Sequence, residues 1–137
     1  MSRIIFHRIR KELRFEAAHV LGGLPPDHPC SRLHGHSYRF SVEMVGRNLD
    51  VNGFVVDFNH LKSIRDRLDH QFLNELSWFK KNERNPTAEN IARYIYEEVN
   101  ALLLRLDAVD DVKVEKVGVW ETETSYAEVV AVDTEEL

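Results

Sequence analysis

HGHSYRFSVEMVG, residues 34–46, is the stretch that decides the fold. His34, His36, Tyr38, Phe40, Val42 and Met44 share one parity, and Ser37, Arg39, Ser41 and Glu43 take the other. A period of two marks a half-buried β-strand, because successive side chains leave opposite faces of the pleat. Upstream, Gly22–Cys30 contains Pro25, Pro26 and Pro29 and is a loop. Before that loop residues 3–19 alternate as well. Ile5, Ile9, Leu13, Phe15, Ala17 and His19 share a face, with mostly charged residues opposite.

Downstream of the second strand the period changes. Asn48–Gly53 is turn-like. Asp57 is a suitable N-cap for a helix whose apolar stripe runs Leu61, Ile64, Leu68, Phe72. Asn85-Pro86-Thr87 opens a longer helix, since proline is tolerated in a first turn. Its stripe is Ala88, Ile91, Ala92, Ile95, Val99, Leu102, Leu103 and Leu106, spaced by threes and fours. Residues 112–120 and 125–133 form a valine-rich hairpin, and its alternation slips at Glu115-Lys116, where a bulge would account for it. The order strand, strand, helix, helix, strand, strand predicts an α+β domain spanning residues 1–137, with a four-stranded antiparallel sheet and two helices on one face. Long strands seldom leave both sheet edges bare, so an oligomer joined edge to edge is expected.

The bulk properties narrow the function. A chain of 137 residues with 43% hydrophobic and 30% charged residues can build a core. Its formal charge of −5 and the lack of a basic cluster beyond Arg8–Lys11 argue against nucleic acid as partner. With one cysteine, Cys30, an intrachain disulfide is impossible, which suits a reducing compartment. No stretch approaches the roughly 20 apolar residues of a membrane span, and the N-terminus lacks an apolar leader, so the cytoplasm is the expected location.

Three of the seven histidines form a pattern. His34 and His36 leave the same face of one strand about 7 Å apart, close enough for both imidazoles to reach one ion. His19 ends the first strand on the parity of Leu13, Phe15 and Ala17, and so points toward the core. A lone histidine on an inward face is usually a hydrogen-bonded core residue. Three of them including a His-x-His pair point to a metal, with Zn2+ the natural occupant. Three ligands without an obvious fourth describe a catalytic site, which keeps a position for water or substrate. Cys30, in PCSRLHGH, is either the small buried residue most free cysteines are, a reactive thiolate beside a cation, or a fourth ligand. Asp69-His70, in LDHQFLN, is a carboxylate–imidazole pair suited to carrying protons. Glu121, after the run Val117, Val119, Trp120, is either an exposed turn residue or a carboxylate held for a guanidine-like ligand edge. His28 and Arg32 are near the site in sequence, and His7 and His60 are read as structural.

Together FEAAH (15–19), HPCSRLHGHSY (28–38), VVDF (55–58), LDHQFLN (68–74), NPTAEN (85–90) and WETETSYA (120–127) resemble the 6-pyruvoyl-tetrahydropterin synthase and QueD family, in family order and over nearly the whole chain. The wording of RLHGHSY and LDHQFLN, and the short length, lean toward its QueD branch. The resemblance implies zinc ligands at His19, His34 and His36, a catalytic cysteine at Cys30, a catalytic Asp-His pair at Asp69 and His70, and a pterin anchor at Glu121. It implies the tunnelling fold (T-fold), with subunits joined into trimeric barrels that stack as homohexamers and active sites at the interfaces. The implied substrate is a small molecule, 7,8-dihydroneopterin triphosphate. Conversion to 6-carboxy-5,6,7,8-tetrahydropterin, with loss of acetaldehyde and triphosphate, belongs to queuosine and deazapurine biosynthesis. The sister reaction, which forms 6-pyruvoyltetrahydropterin, and a non-catalytic zinc-stabilised pterin-binding module are the alternatives.

Overall fold

The structure, a computed structural model, describes residues 1–106 and 111–136. Its sheet begins with strand β1 (His7–His19), which runs antiparallel to β2 (His34–Gly46) in an unbroken register from His7↔Gly46 to His19↔His34. The alternation has its expected consequence, since Phe15, Ala17, His19, Tyr38, Phe40, Val42 and Met44 are all buried on one side. Strand β1 begins four residues later than the alternation suggests. Its partner ends at Gly46, and Ile4, Ile5 and Phe6 are left 62%, 70% and 58% exposed.

Asp57 does act as a cap. Its carboxylate accepts the Asn59 N–H at 2.9 Å, opening a tight turn over Phe58–Leu61 that runs into helix α1 (Lys62–Leu68). The helix stops there, so Phe72 does not join its stripe. His70 takes a left-handed backbone (φ 58°), which swings the chain outward and lays strand β3 (Gln71–Phe72) parallel to Ala17–Ala18. The sheet is therefore five-stranded and mixed, in the order β3-β1-β2-β4-β5, rather than four-stranded and antiparallel. A short helix α2 (Ser77–Lys80), which buries Phe79, adds to the two expected helices.

Helix α3 (Ala88–Arg105) buries Ile91, Ala92, Ile95, Val99, Leu102 and Leu103 against the sheet. Each of these side chains except the small Ala92 contributes about 1.5–3 kcal/mol. Thr87 is its N-cap, accepting the Asn90 N–H at 3.1 Å. Pro86 therefore lies outside the helix rather than in its first turn, and its carbonyl is available elsewhere. Strand β4 (Lys113–Trp120) pairs with β2, and the register slips between Glu43 and Met44, leaving Glu115 as the extra residue of the expected bulge. Strand β5 (Tyr126–Val130) closes the sheet. Two edges result, and on the β1 side His7–Arg14 pair with β2 alone among the described residues.

Candidate metal centre

The end of β1 faces the start of β2, so His19 and His34 meet as register partners and His36 follows one pleat later. The three rings converge. One nitrogen from each lies within 4.8 Å of the others, and His19 Nε2 is 2.8 Å from His34 Nε2. Among the described residues this is the group of side chains able to hold a metal ion, and Cys30 is not part of it.

The chain fixes two of the three tautomers. The His19 Nδ1–H donates to the Pro86 carbonyl at 2.7 Å, and the His34 Nδ1–H donates to the Arg32 carbonyl at 2.7 Å. Each leaves Nε2 as a lone-pair donor aimed at the centre, the arrangement by which proteins orient metal-binding imidazoles. Among the described residues the His36 Nε2 is buried with no hydrogen-bond partner, the nearest anion being Glu121 Oε1 at 3.5 Å, and a buried polar atom without a hydrogen bond is costly unless something completes its coordination. Burial, with a neighbouring imidazole adding to it, lowers the basicity of His19 and His36, which favours the neutral form that binds metal. The donor set thus fits a cation. Tyr38, stacked on Phe15 at 4.8 Å, brings its hydroxyl within 3.3 Å of His19 Nδ1, and burial pushes that hydroxyl far above the usual range.

Glu121 follows the last residue of β4, and its N–H donates to the Ser125 carbonyl at 3.0 Å across the hairpin. Its carboxylate turns inward, with Oε1 at 3.5 Å from His36 Nε2, and so is not a turn residue facing solvent. Cys30 sits in a tight turn (Pro29–Ser31) capped by His28, whose Nδ1 accepts the Cys30 N–H at 3.1 Å. Pro29, Cys30, Arg32, His34, His36 and Glu121 line one cavity of about 500 Å³.

Asp69 and His70 are brought together but not into this cavity. The helix end and the left-handed His70 let the His70 Nδ1 meet Asp69 Oδ2 at 3.0 Å, which adjacent residues inside a helix could not do. The Glu16 N–H holds the Asp69 carboxyl below the usual carboxylate range, with His70 and Arg65 adding to the effect. Among the described residues no hydrogen bond or ion pair joins this couple to the three histidines, and the His70 side chain is 78% exposed. His60 is exposed, and His7 is partly buried with its Nδ1 unpartnered.

Residues 8–131 match the family model described as 6-pyruvoyl tetrahydropterin synthase. The chain belongs to that family. A Bacillus subtilis relative named 6-carboxy-5,6,7,8-tetrahydropterin synthase is 36% identical over 123 residues, covering 86% of this chain and 81% of the relative. A Pyrococcus furiosus relative named dihydroneopterin monophosphate aldolase is 35% identical, covering 83% and 89%. The solved structure of the Caenorhabditis elegans 6-pyruvoyl tetrahydropterin synthase superposes with a TM-score of 0.75 at 24% identity, covering 96% of this chain and all of that one. The family fold is thus present here, with β3 as the strand that period-two reading passes over. Sequence patterning also passed over the Pro86 and Arg32 carbonyls, since main-chain acceptors leave no mark in residue type.

Proposed function

We propose that the chain is a cytoplasmic enzyme that converts 7,8-dihydroneopterin triphosphate to 6-carboxy-5,6,7,8-tetrahydropterin, releasing acetaldehyde and triphosphate, in queuosine and deazapurine biosynthesis. The observation that supports it most is the trio of converging imidazoles with an unpartnered His36 Nε2, in a chain 36% identical to a 6-carboxytetrahydropterin synthase. His19, His34 and His36 would hold Zn2+, three nitrogen donors being the number found in catalytic rather than closed structural zinc sites. When bound, the ion supplies Lewis-acid stabilisation of negative charge developing on a substrate oxygen.

The remaining steps belong to side chains. Cys30, whose loop borders the same cavity as His34 and His36, removes a proton from the substrate side chain as thiolate. His70, with Nδ1–H donated to Asp69, keeps Nε2 free to relay protons. Glu121 holds the amino-pyrimidine edge of the pterin by paired hydrogen bonds and sets its register. The β1 edge at His7–Arg14, paired with β2 alone among the described residues, supports joining of subunits into trimers that stack as a homohexamer.

The test is product mass after incubation of the metal-loaded protein with 7,8-dihydroneopterin triphosphate. A 6-carboxy product with acetaldehyde is expected, and a 6-pyruvoyl product would move the chain to the sister activity. Because one relative is named an aldolase, 7,8-dihydroneopterin monophosphate belongs in the same experiment. Turnover of that compound alone would overturn the assignment.

A further inference from the structure

Past His19, among the described residues, no strand pairs with the chain on the β3 side. Side chains take the strand's place there. The Val20 N–H donates to Asn74 Oδ1 at 2.9 Å, and Asn74 Nδ2 donates back to the Val20 carbonyl at 2.8 Å. Two residues on, the Gly22 N–H donates to Asn85 Oδ1 at 2.9 Å, and Asn85 Nδ2 donates to the Gly22 carbonyl at 2.9 Å. A primary amide carries the same donor and acceptor as a peptide unit. Each asparagine therefore satisfies both backbone groups of one residue, as a strand neighbour would. The pattern continues the edge that Asp69 and His70 begin at Glu16 and β3 extends to Ala18. On the other side, the Leu21 N–H reaches the Cys30 carbonyl at 2.9 Å. This one segment thus ties His19 to the Cys30 loop.

Asn85 also precedes Pro86, whose carbonyl holds the His19 ring. The path from His19 through Val20, Leu21 and Gly22, across the Asn85 amide to Pro86 and back to His19 Nδ1, is a closed circuit of covalent and hydrogen bonds. The first turn of α3 braces it, since Asn90 Nδ2 donates to the Asn85 carbonyl at 2.8 Å.

We infer that Asn74 and Asn85 are positioning residues for the metal centre, acting as strand-mimicking amides that hold His19 with Nε2 toward His34. This rests on the reading of the three histidines as a metal site. A group hydrogen-bonded directly to a metal ligand, as the Pro86 carbonyl is to His19, typically sets its affinity by about 10–100-fold, and the two asparagines act one step further out, at the low end of that range. Asn85→Ala is expected to weaken Zn2+ binding about 10-fold or more, with Asn74→Ala acting in the same direction. Asn85→Asp should not rescue it, because the lost donor becomes an oxygen facing the Gly22 carbonyl. A cap that used only the acceptor would be rescued by aspartate.

The experiment measures Zn2+ affinity by competition with a chelator, and the visible absorption of the Co2+ form, for wild type, Asn74→Ala, Asn85→Ala, Asn85→Asp and Ile95→Val. Ile95 is fully buried in α3, and Ile95→Val destabilises the core without touching the circuit. Weakened affinity with an altered Co2+ spectrum in the asparagine variants, and not in Ile95→Val, supports the inference. Should Asn85→Ala fail to fold, Asn74→Ala and Asn85→Asp decide it. Affinities within about twofold of wild type, or full rescue by aspartate, overturn it while leaving the metal reading intact. A wild-type protein that binds neither ion overturns both.

Discussion

Replacing Cys30 with alanine separates the chemistry of the site from its architecture. The two hydrogen bonds made at this residue use its main chain, the N–H to His28 Nδ1 at 3.1 Å and the carbonyl from the Leu21 N–H at 2.9 Å, and alanine keeps both. The side chain is only partly buried, so losing one sulfur atom costs below about 1 kcal/mol. For a chain of this length that lowers the melting temperature by less than about 5 °C. The thiol is absent from the convergent group of three histidines, so the metal content should stay at the wild-type value. Turnover should not survive. Removing a group that transfers a proton in the transition state costs about 10²–10⁴-fold, or about 2.7–5.5 kcal/mol in the barrier. Melting temperature, metal by elemental mass spectrometry and product formation are measured on one preparation. If the metal is lost with the sulfur, the site is a closed four-ligand structural centre. If turnover stays within about threefold, Cys30 is not the base.

Stripping the metal with a chelator should leave the far-ultraviolet dichroism unchanged, because the core of the sheet and α3 owes nothing to an ion; restoring Zn2+ at 100 times its dissociation constant should add about 2.7 kcal/mol of stability. Glu121→Gln should raise KM about 10-fold or more with the metal retained, since a charged hydrogen-bond partner is worth about 1.5–3 kcal/mol. Asp69 has a lowered carboxyl pKa in the folded state, so its contribution is complete above the unfolded value near 3.8 and disappears as pH falls through the folded value. The stability gap between wild type and Asp69→Asn should therefore close as pH is lowered below about 3.8 in urea titrations.

The long strands were legible because each buries one face against helices, so burial repeats every second residue from Leu13 to His19 and, apart from Ser41, which is buried on the opposite parity, from His34 to Met44. Leu61, Ile64 and Leu68, and the stripe from Ile91 to Leu103, were legible for the corresponding reason at helical spacing. Strand β3 was not, since two residues have no period and the left-handed turn before them falls on a histidine rather than a glycine. The residues ahead of β1 alternate as a strand would without pairing, because alternation speaks of faces and not of partners. Within the site, His19, His34 and His36 could be grouped from parity alone. The supports of those rings could not. Main-chain carbonyls are supplied by whichever residue the loop delivers, and Asn74 and Asn85 reach their partners over separations of 54 and 63 residues.

The position of Asp69 and His70 leads to one more expectation. Cys30, His34, His36 and Glu121 line one cavity, while His70 opens on another with Glu16, Gly35, Ser37 and Phe72, and His36 borders both. Strand β2 at His36 stands between them. If the two sets act on one substrate from opposite sides of β2, the couple is expected to come from a neighbouring chain, and the His7–Arg14 edge of β1, paired with β2 alone among the described residues, is one edge where a neighbour can join the sheet. Complementation tests this. Cys30→Ala and His70→Ala chains, each expected to be inactive alone, are co-expressed with different tags and purified as mixed assemblies. With random mixing, a site built from two chains receives an intact Cys30 from one and an intact His70 from the other about one time in four. Activity near a quarter of wild type is expected. A site built within one chain can never be whole in such a mixture, so activity no higher than that of either parent would place both functions in a single subunit.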